Sequence, residues 1–180
     1  MLIDEFLPEY DFSEVHEIAV NADPETVYRV RDEVDFTGSW MVRWLFRLRG
    51  LSTEKVTLKS LQSSRFERLG EVENKEIVLG LAGRFWTPTG GLKKIDAESF
   101  KTFNEPGHAK AVWNFSIEPD RKQTRLATET RIKCLDDESR ASFGRYWIFI
   151  GPFSGLIRVE MLKLIKAKAE AAAEESAAAA

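Results

Sequence analysis

The apolar positions of this chain change period several times, and each change marks an element. Over residues 13–20 they alternate: His16, Ile18 and Val20 share one face and Val15, Glu17 and Ala19 the other, the period of a strand. Asp23, Pro24 and Glu25 then supply a cap, a residue pre-set for the first helical turn, and a charge that suits the helix dipole. The helix they open carries Val27, Val30 and Val34 on one side and Arg29, Asp32 and Glu33 on the other. A second short helix is predicted over residues 39–49, closed by Gly50, with Trp40, Trp44 and Leu48 one turn apart and Met41 and Leu45 beside them.

Strand patterns follow in series. Residues 64–70 and 76–82 read as a pair joined through 71–75, and residues 87–91 punctuate the chain. Residues 100–103 read as a further short strand, and Glu105-Pro106-Gly107 as an exposed turn that carries His108. Residues 109–117 place Ala111, Trp113, Phe115 and Ile117 opposite Val112, Asn114 and Ser116, and Glu118-Pro119-Asp120 closes the run. Residues 124–135 place Leu126, Thr128, Thr130, Ile132 and Cys134 opposite Glu129, Arg131 and Lys133, a strand with one wet face and a ladder of alternating charge. Asp136-Asp137 open a helix striped by Phe143, Tyr146, Trp147 and Ile150. Gly151-Pro152 is expected to bend it or split it in two, because proline lacks a donor and restricts the residue before it. Helical spacing resumes with Phe153, Leu156, Ile157, Met161, Leu164 and Ile165. One strand, two short helices, about five strands on turn-length links and one long amphipathic helix imply an antiparallel sheet covered by that helix. The expected class is α+β, a helix-grip fold with a curved sheet wrapped around the C-terminal helix.

A chain of 180 residues, 43% of them hydrophobic, suits one domain, taken as residues 1–170, with an alanine-rich tail at 171–180 that has little to bury and is expected to fray. Basic and acidic residues number 26 and 29, for a net charge of -3, which argues against a dedicated nucleic-acid binder. Cys134 is the single cysteine, so no intramolecular disulfide or multi-cysteine zinc site can form. With no apolar run near the roughly 20 residues of a membrane span and an acidic start unlike a signal peptide, a cytoplasmic protein without stable membrane insertion is expected.

Phe12-Ser13-Glu14-Val15-His16-Glu17, followed by Ala22-Asp23-Pro24-Glu25-Thr26-Val27-Tyr28, resembles the opening of START-like, or SRPBCC, domains. That superfamily includes the Bet v 1 allergens, polyketide cyclases and lipid-transfer proteins. Gly80-Leu81-Ala82-Gly83-Arg84-Phe85-Trp86, Thr128-Glu129-Thr130-Arg131, Phe143-Gly144-Arg145-Tyr146-Trp147 and Pro152-Phe153-Ser154-Gly155-Leu156-Ile157-Arg158 resemble an uncharacterised bacterial branch of it. The likeness spans residues 10–170 and implies the helix-grip fold with a hydrophobic ligand between sheet and helix; it implies no particular reaction.

Trp113 and Phe115 should face Phe143, Tyr146, Trp147 and Ile150 across the grip, with Trp40, Trp44 and Trp86 contributing from its ends and Ile157 and Phe153 as further ligand-binding residues. An ordinary filled core is the alternative for each ring. Thr128 and Thr130 point inward and would orient a ligand's polar group. His16 would do the same, or act as a catalytic base if the protein is an enzyme; a packed histidine bonded to a neighbour is the blander role. Arg84 reads as a surface ion-pair partner, for example of Glu129, and Cys134 as an inert core thiol. Residues 40–49, with Arg43 and Arg47 among apolar neighbours, read as a lid over the cavity, transient contact with a membrane surface being the alternative. The leading expectation is a non-enzymatic binder of a lipid, isoprenoid or polyketide-like compound. A cyclase or dehydratase-like enzyme comes second and a ligand-free adaptor third. No cofactor and no metal are expected, since the two histidines stand far apart in sequence.

Overall fold

Five strands form one antiparallel sheet in the order β1–β5–β4–β3–β2 in a computed structural model that describes residues 1–48, 54–60, 66–87 and 90–178. The strands are β1 (Phe12–Val20), β2 (Glu67–Val72), β3 (Glu76–Gly83), β4 (Ala109–Asp120) and β5 (Gln123–Cys134). The helices are α1 (Ile3–Phe6), α2 (Pro24–Arg31), α3 (Trp40–Leu48), α4 (Ala97–Thr102) and α5 (Asp137–Ala178). This is the helix-grip α+β architecture, with short helices after the first strand and one long helix at the end. Expected features at Arg49, Gly50, Ser64, Arg65, Pro88 and Thr89 lie outside the described residues.

Local chemistry places the elements. The Asp23 carboxylate accepts the Thr26 N–H at 2.9 Å and starts α2 with Pro24 in its first turn. Between β2 and β3 the chain turns through Asn74, whose φ of 57° is left-handed, a conformation asparagine tolerates better than most residues. The Asp136 side chain accepts the Ser139 N–H at 2.6 Å and opens α5.

Residues 100–103 are not a strand. Asp96 and Ser99 form a capping box, each side chain bonded to the other's backbone, and the helix they start turns Phe100 down onto the sheet. Nor is α5 two segments: it runs unbroken through Pro152, whose ring is exposed. The carbonyl of Ile148, which loses its donor to the proline, also belongs to an exposed residue. His108 is 8% exposed rather than on an open turn; its Nδ1 sits 2.9 Å from the Pro106 carbonyl and its ring meets Phe103 edge-on.

Both faces of the sheet are covered. Val20, Ile77, Leu79, Trp113, Phe115, Leu126 and the α5 residues Ile157, Met161 and Ile165 fill the concave side. On the convex side Ile3, Phe6, Leu7 and Phe100 pack on Leu69, Val78 and Val112. Here the expected wet face of β5 is corrected. Arg131 is buried beneath α1, where it bonds Asp4 at 2.8 Å, the Leu7 carbonyl at 3.1 Å and Glu129 at 2.6 Å. Buried Glu76 anchors the same segment, accepting the N–H groups of Leu2 and Ile3 and the Asn114 amide at 2.7, 3.2 and 2.7 Å.

Candidate functional site

Strand register sets two rows of side chains next to each other on the concave face. In one, Glu14 pairs with Thr130, Thr130 with Trp113 and Trp113 with Leu79. In the next, His16 pairs with Thr128, Thr128 with Phe115 and Phe115 with Ile77. Each row is charged or ionisable at the β1 edge, hydroxylic in the middle and apolar towards β3.

Helix α5 crosses the polar end of both rows at Gly155. A Cβ there would fall 2.4 Å from Glu14 Oε1 and 3.2 Å from His16 Nε2, so glycine lets the helix come this close. Glu14 Oε1 lies 3.1 Å from His16 Nε2, within ion-pair distance but out of line for an N–H···O bond. Glu14 Oε2 and His16 Nε2 are both buried and have no hydrogen-bond partner among the described residues. Such atoms are costly, and native proteins leave few of them. Almost one turn further along α5, the Arg158 guanidinium sits 3.8 Å over the Trp113 ring. A carboxylate, an imidazole and a guanidinium therefore face an otherwise apolar grip.

The aromatic residues divide into two groups. Trp113 Nε1 donates to Thr128 Oγ1 at 2.6 Å, and that hydroxyl donates to the Asn114 carbonyl at 2.7 Å, so Thr128 fixes the indole. Phe115 and Phe66 pack on the same indole, with ring centroids 5.0 and 5.5 Å away. At the far end Phe143 is a hub, stacked on Trp147 and touched by Phe12, Phe85, Trp86 and Tyr146 at centroid distances of 5.1 to 5.9 Å.

Of the residues singled out from sequence, His16, Trp113, Phe115, Thr128, Thr130 and Ile157 come together in the middle of the grip, and Trp86, Tyr146 and Trp147 gather round Phe143. Trp40 and Trp44 stand outward, 73% and 55% exposed, and Phe153 is also exposed. Glu14, Gly155 and Arg158 were not singled out. Glu14 is legible from its two-residue offset to His16, whereas nothing in the sequence says that Gly155 and Arg158 dock above it. Cys134 is buried, and burial followed by the Asp11 charge pushes its thiol up to about 12, so it is inert. Arg84 packs against Gly107 while Glu129 bonds Arg131, so the expected Arg84–Glu129 pair does not form. Two surface hollows, of about 500 and 420 Å³, lie between α2 and the later turns of α5; Asp32, Glu33, Lys55 and Lys168 are among their walls, away from the aromatic rings.

No family model and no curated protein matches the sequence. Among solved structures, the chain is similar to TTHA0849 from Thermus thermophilus at a TM-score of 0.37 and 12% identity, covering 89% of this chain and 99% of that one. It is similar to Ara h 8.0201 at a TM-score of 0.28 and 10% identity, covering 88% and 97%. It is similar to the Zhui aromatase/cyclase from Streptomyces sp. R1128 at a TM-score of 0.28 and 15% identity, covering 88% and 93%. None of these likenesses is close enough to transfer a residue role or an activity.

Proposed function

We propose that the protein binds a hydrophobic small molecule, such as a lipid, an isoprenoid or a polyketide-like compound, with the ligand's polar group held at Glu14 and His16. The observation that carries this reading is that Glu14 Oε2 and His16 Nε2, buried beside an apolar, aromatic grip, have no hydrogen-bond partner among the described residues. A ligand hydroxyl, donating to Glu14 Oε2 and accepting from His16 Nε2–H, would satisfy them, and its apolar body would lie along Trp113, Phe115 and Ile157. Trp113 and Phe115 already fill much of the middle, so binding requires rings or α5 to move. A cyclase or dehydratase-like enzyme is the second reading, favoured by the Glu14 carboxylate 3.1 Å from the imidazole. A carboxylate at that distance would stabilise the imidazolium formed when His16 takes a proton next to a ligand carbonyl.

Native mass spectrometry of gently purified protein, with titration by the apolar dye 8-anilino-1-naphthalenesulfonate, tests the binding reading. An apolar compound should co-purify, and Trp113→Ala should weaken dye binding about tenfold. Glu14→Gln and His16→Gln should release the co-purified compound while melting as the wild type does. Folded protein that carries no compound and ignores the dye would refute a ligand-binding grip. A stable His16→Gln protein with unchanged turnover on an identified substrate would end the enzymatic reading.

A further inference from the structure

Helix α5 leaves one face uncovered. Ile148, Phe149, Pro152, Phe153 and Leu156 are exposed, the first two to 73% each. At about 100° per residue these positions share one side of the helix, opposite the buried Met161. Trp40 and Trp44 stand outward one turn apart on α3, and the Ser39 hydroxyl just before them meets Glu160 Oε2 at 3.3 Å. That contact sets the start of α3 beside α5, one turn beyond Leu156. Single exposed apolar side chains are ordinary, but this many large ones on two neighbouring helices are not.

The charges here differ in sign from the rest of the molecule. Although the chain carries a net -3, the charged residues at positions 36–53 are Arg43, Arg47 and Arg49, and those at 139–159 are Arg140, Arg145 and Arg158. Arg43, Arg47 and Arg145 are exposed. Glu160, the next carboxylate along α5, is engaged by Ser39 and by Lys163 at 2.8 Å. A second copy of the chain docked here about a two-fold axis would set one positively charged patch against another. A bilayer bearing anionic lipid complements both features: rings of this kind settle at the headgroup level, and arginines reach the phosphates. No helix among the described residues is long and apolar enough to cross a membrane, so the contact lies on the surface.

We infer that this face seats the protein on an anionic lipid surface, with Trp40, Trp44, Phe149 and Phe153 inserted at the headgroup boundary and Arg43, Arg47 and Arg145 against lipid phosphate. The contact is independent of what the grip holds. Flotation of the full chain with phosphatidylcholine vesicles, with and without about 30% phosphatidylglycerol, tests it directly. The protein should float with the anionic vesicles, and brominated lipid should quench its tryptophan emission. Binding should fall about tenfold or more in the Phe149→Ser, Phe153→Ser double variant and about fivefold for each of Arg43→Gln and Arg47→Gln, and it should return in Phe149→Trp. These side chains are exposed, so each variant should melt as the wild type does. Wild-type protein that stays with the lipid-free fraction at both compositions would overturn the inference, as would binding equal in every variant. A concentration-dependent dimer in ultracentrifugation, dissociated by Phe149→Ser and without affinity for vesicles, would assign the face to a second copy instead.

Discussion

Gly155 shows how one missing side chain sets the site. In most helix interiors alanine is better than glycine by about 1 kcal/mol. Here the added methyl would press on the Glu14 carboxylate, the free end of a flexible side chain that can swing aside, and on the His16 ring edge. Gly155→Ala should therefore keep its stability within about 1 kcal/mol of wild type while driving Glu14 away from His16. Urea denaturation reads the first effect and the imidazole proton resonances of His16 the second. A loss of more than about 2 kcal/mol would mean that α5 had moved instead of the carboxylate. At this scale the sequence told half the story. The two-residue period that turned His16 inward also turns Glu14 inward, but the arrival of Gly155 and Arg158 above them depends on how a helix distant in sequence docks, which no local pattern encodes.

Among the elements, α5 departs most from what its sequence suggests. Proline in a regular helix interior removes a hydrogen bond and crowds the preceding turn, at a cost of about 3 kcal/mol. Because α5 continues through Pro152 with that ring facing solvent, Pro152→Ala should restore the bond to the Ile148 carbonyl without disturbing the grip. The expected gain is about 1–3 kcal/mol in urea denaturation. A change of only a few tenths would place Pro152 at the start of a separate segment. Strands β4 and β5 were legible because alternation over a dozen residues is strong evidence, and α2 because its cap, its proline and its apolar stripe agree. Residues 100–103 misled because two phenylalanines in a short window look strand-like, while the decisive signal, Asp96 three residues before Ser99, lies upstream. The four residues of α1 are too few to show a period, so nothing announced that they would cover Arg131 and Glu76.

Across the whole molecule, charges embedded in the fold define a window of stability between acid and alkali. Backbone donation from Thr26 holds the Asp23 carboxyl below its ordinary 3.8, and backbone donation from Ser139 and Gly107 does the same for Asp136. Burial works against Glu71, but the Tyr28 hydroxyl and the Arg31 charge outweigh it and also hold that group low. A carboxyl depressed by folding contributes stability above its unfolded value and loses it as pH falls through the folded one. The acid limb should therefore descend below about pH 4. Cys134 acts at the other end. Burial, then Asp11, raises its thiol from 9.0 to about 12, so the folded state keeps a proton that the unfolded state gives up. Its contribution is complete below about pH 9 and is lost as pH rises towards 12. Burial lowers Lys110, which works in the opposite sense and favours the folded state as pH rises, blunting the decline without cancelling it. Melting temperature followed from pH 3 to 11 should thus be flat through neutrality and fall on both sides. Burial and the bond to Glu71 raise the Tyr28 hydroxyl in the same sense, so Cys134→Ala should make the alkaline limb shallower and leave the acid limb in place; an alkaline limb unchanged in that variant would remove Cys134 as a source of it.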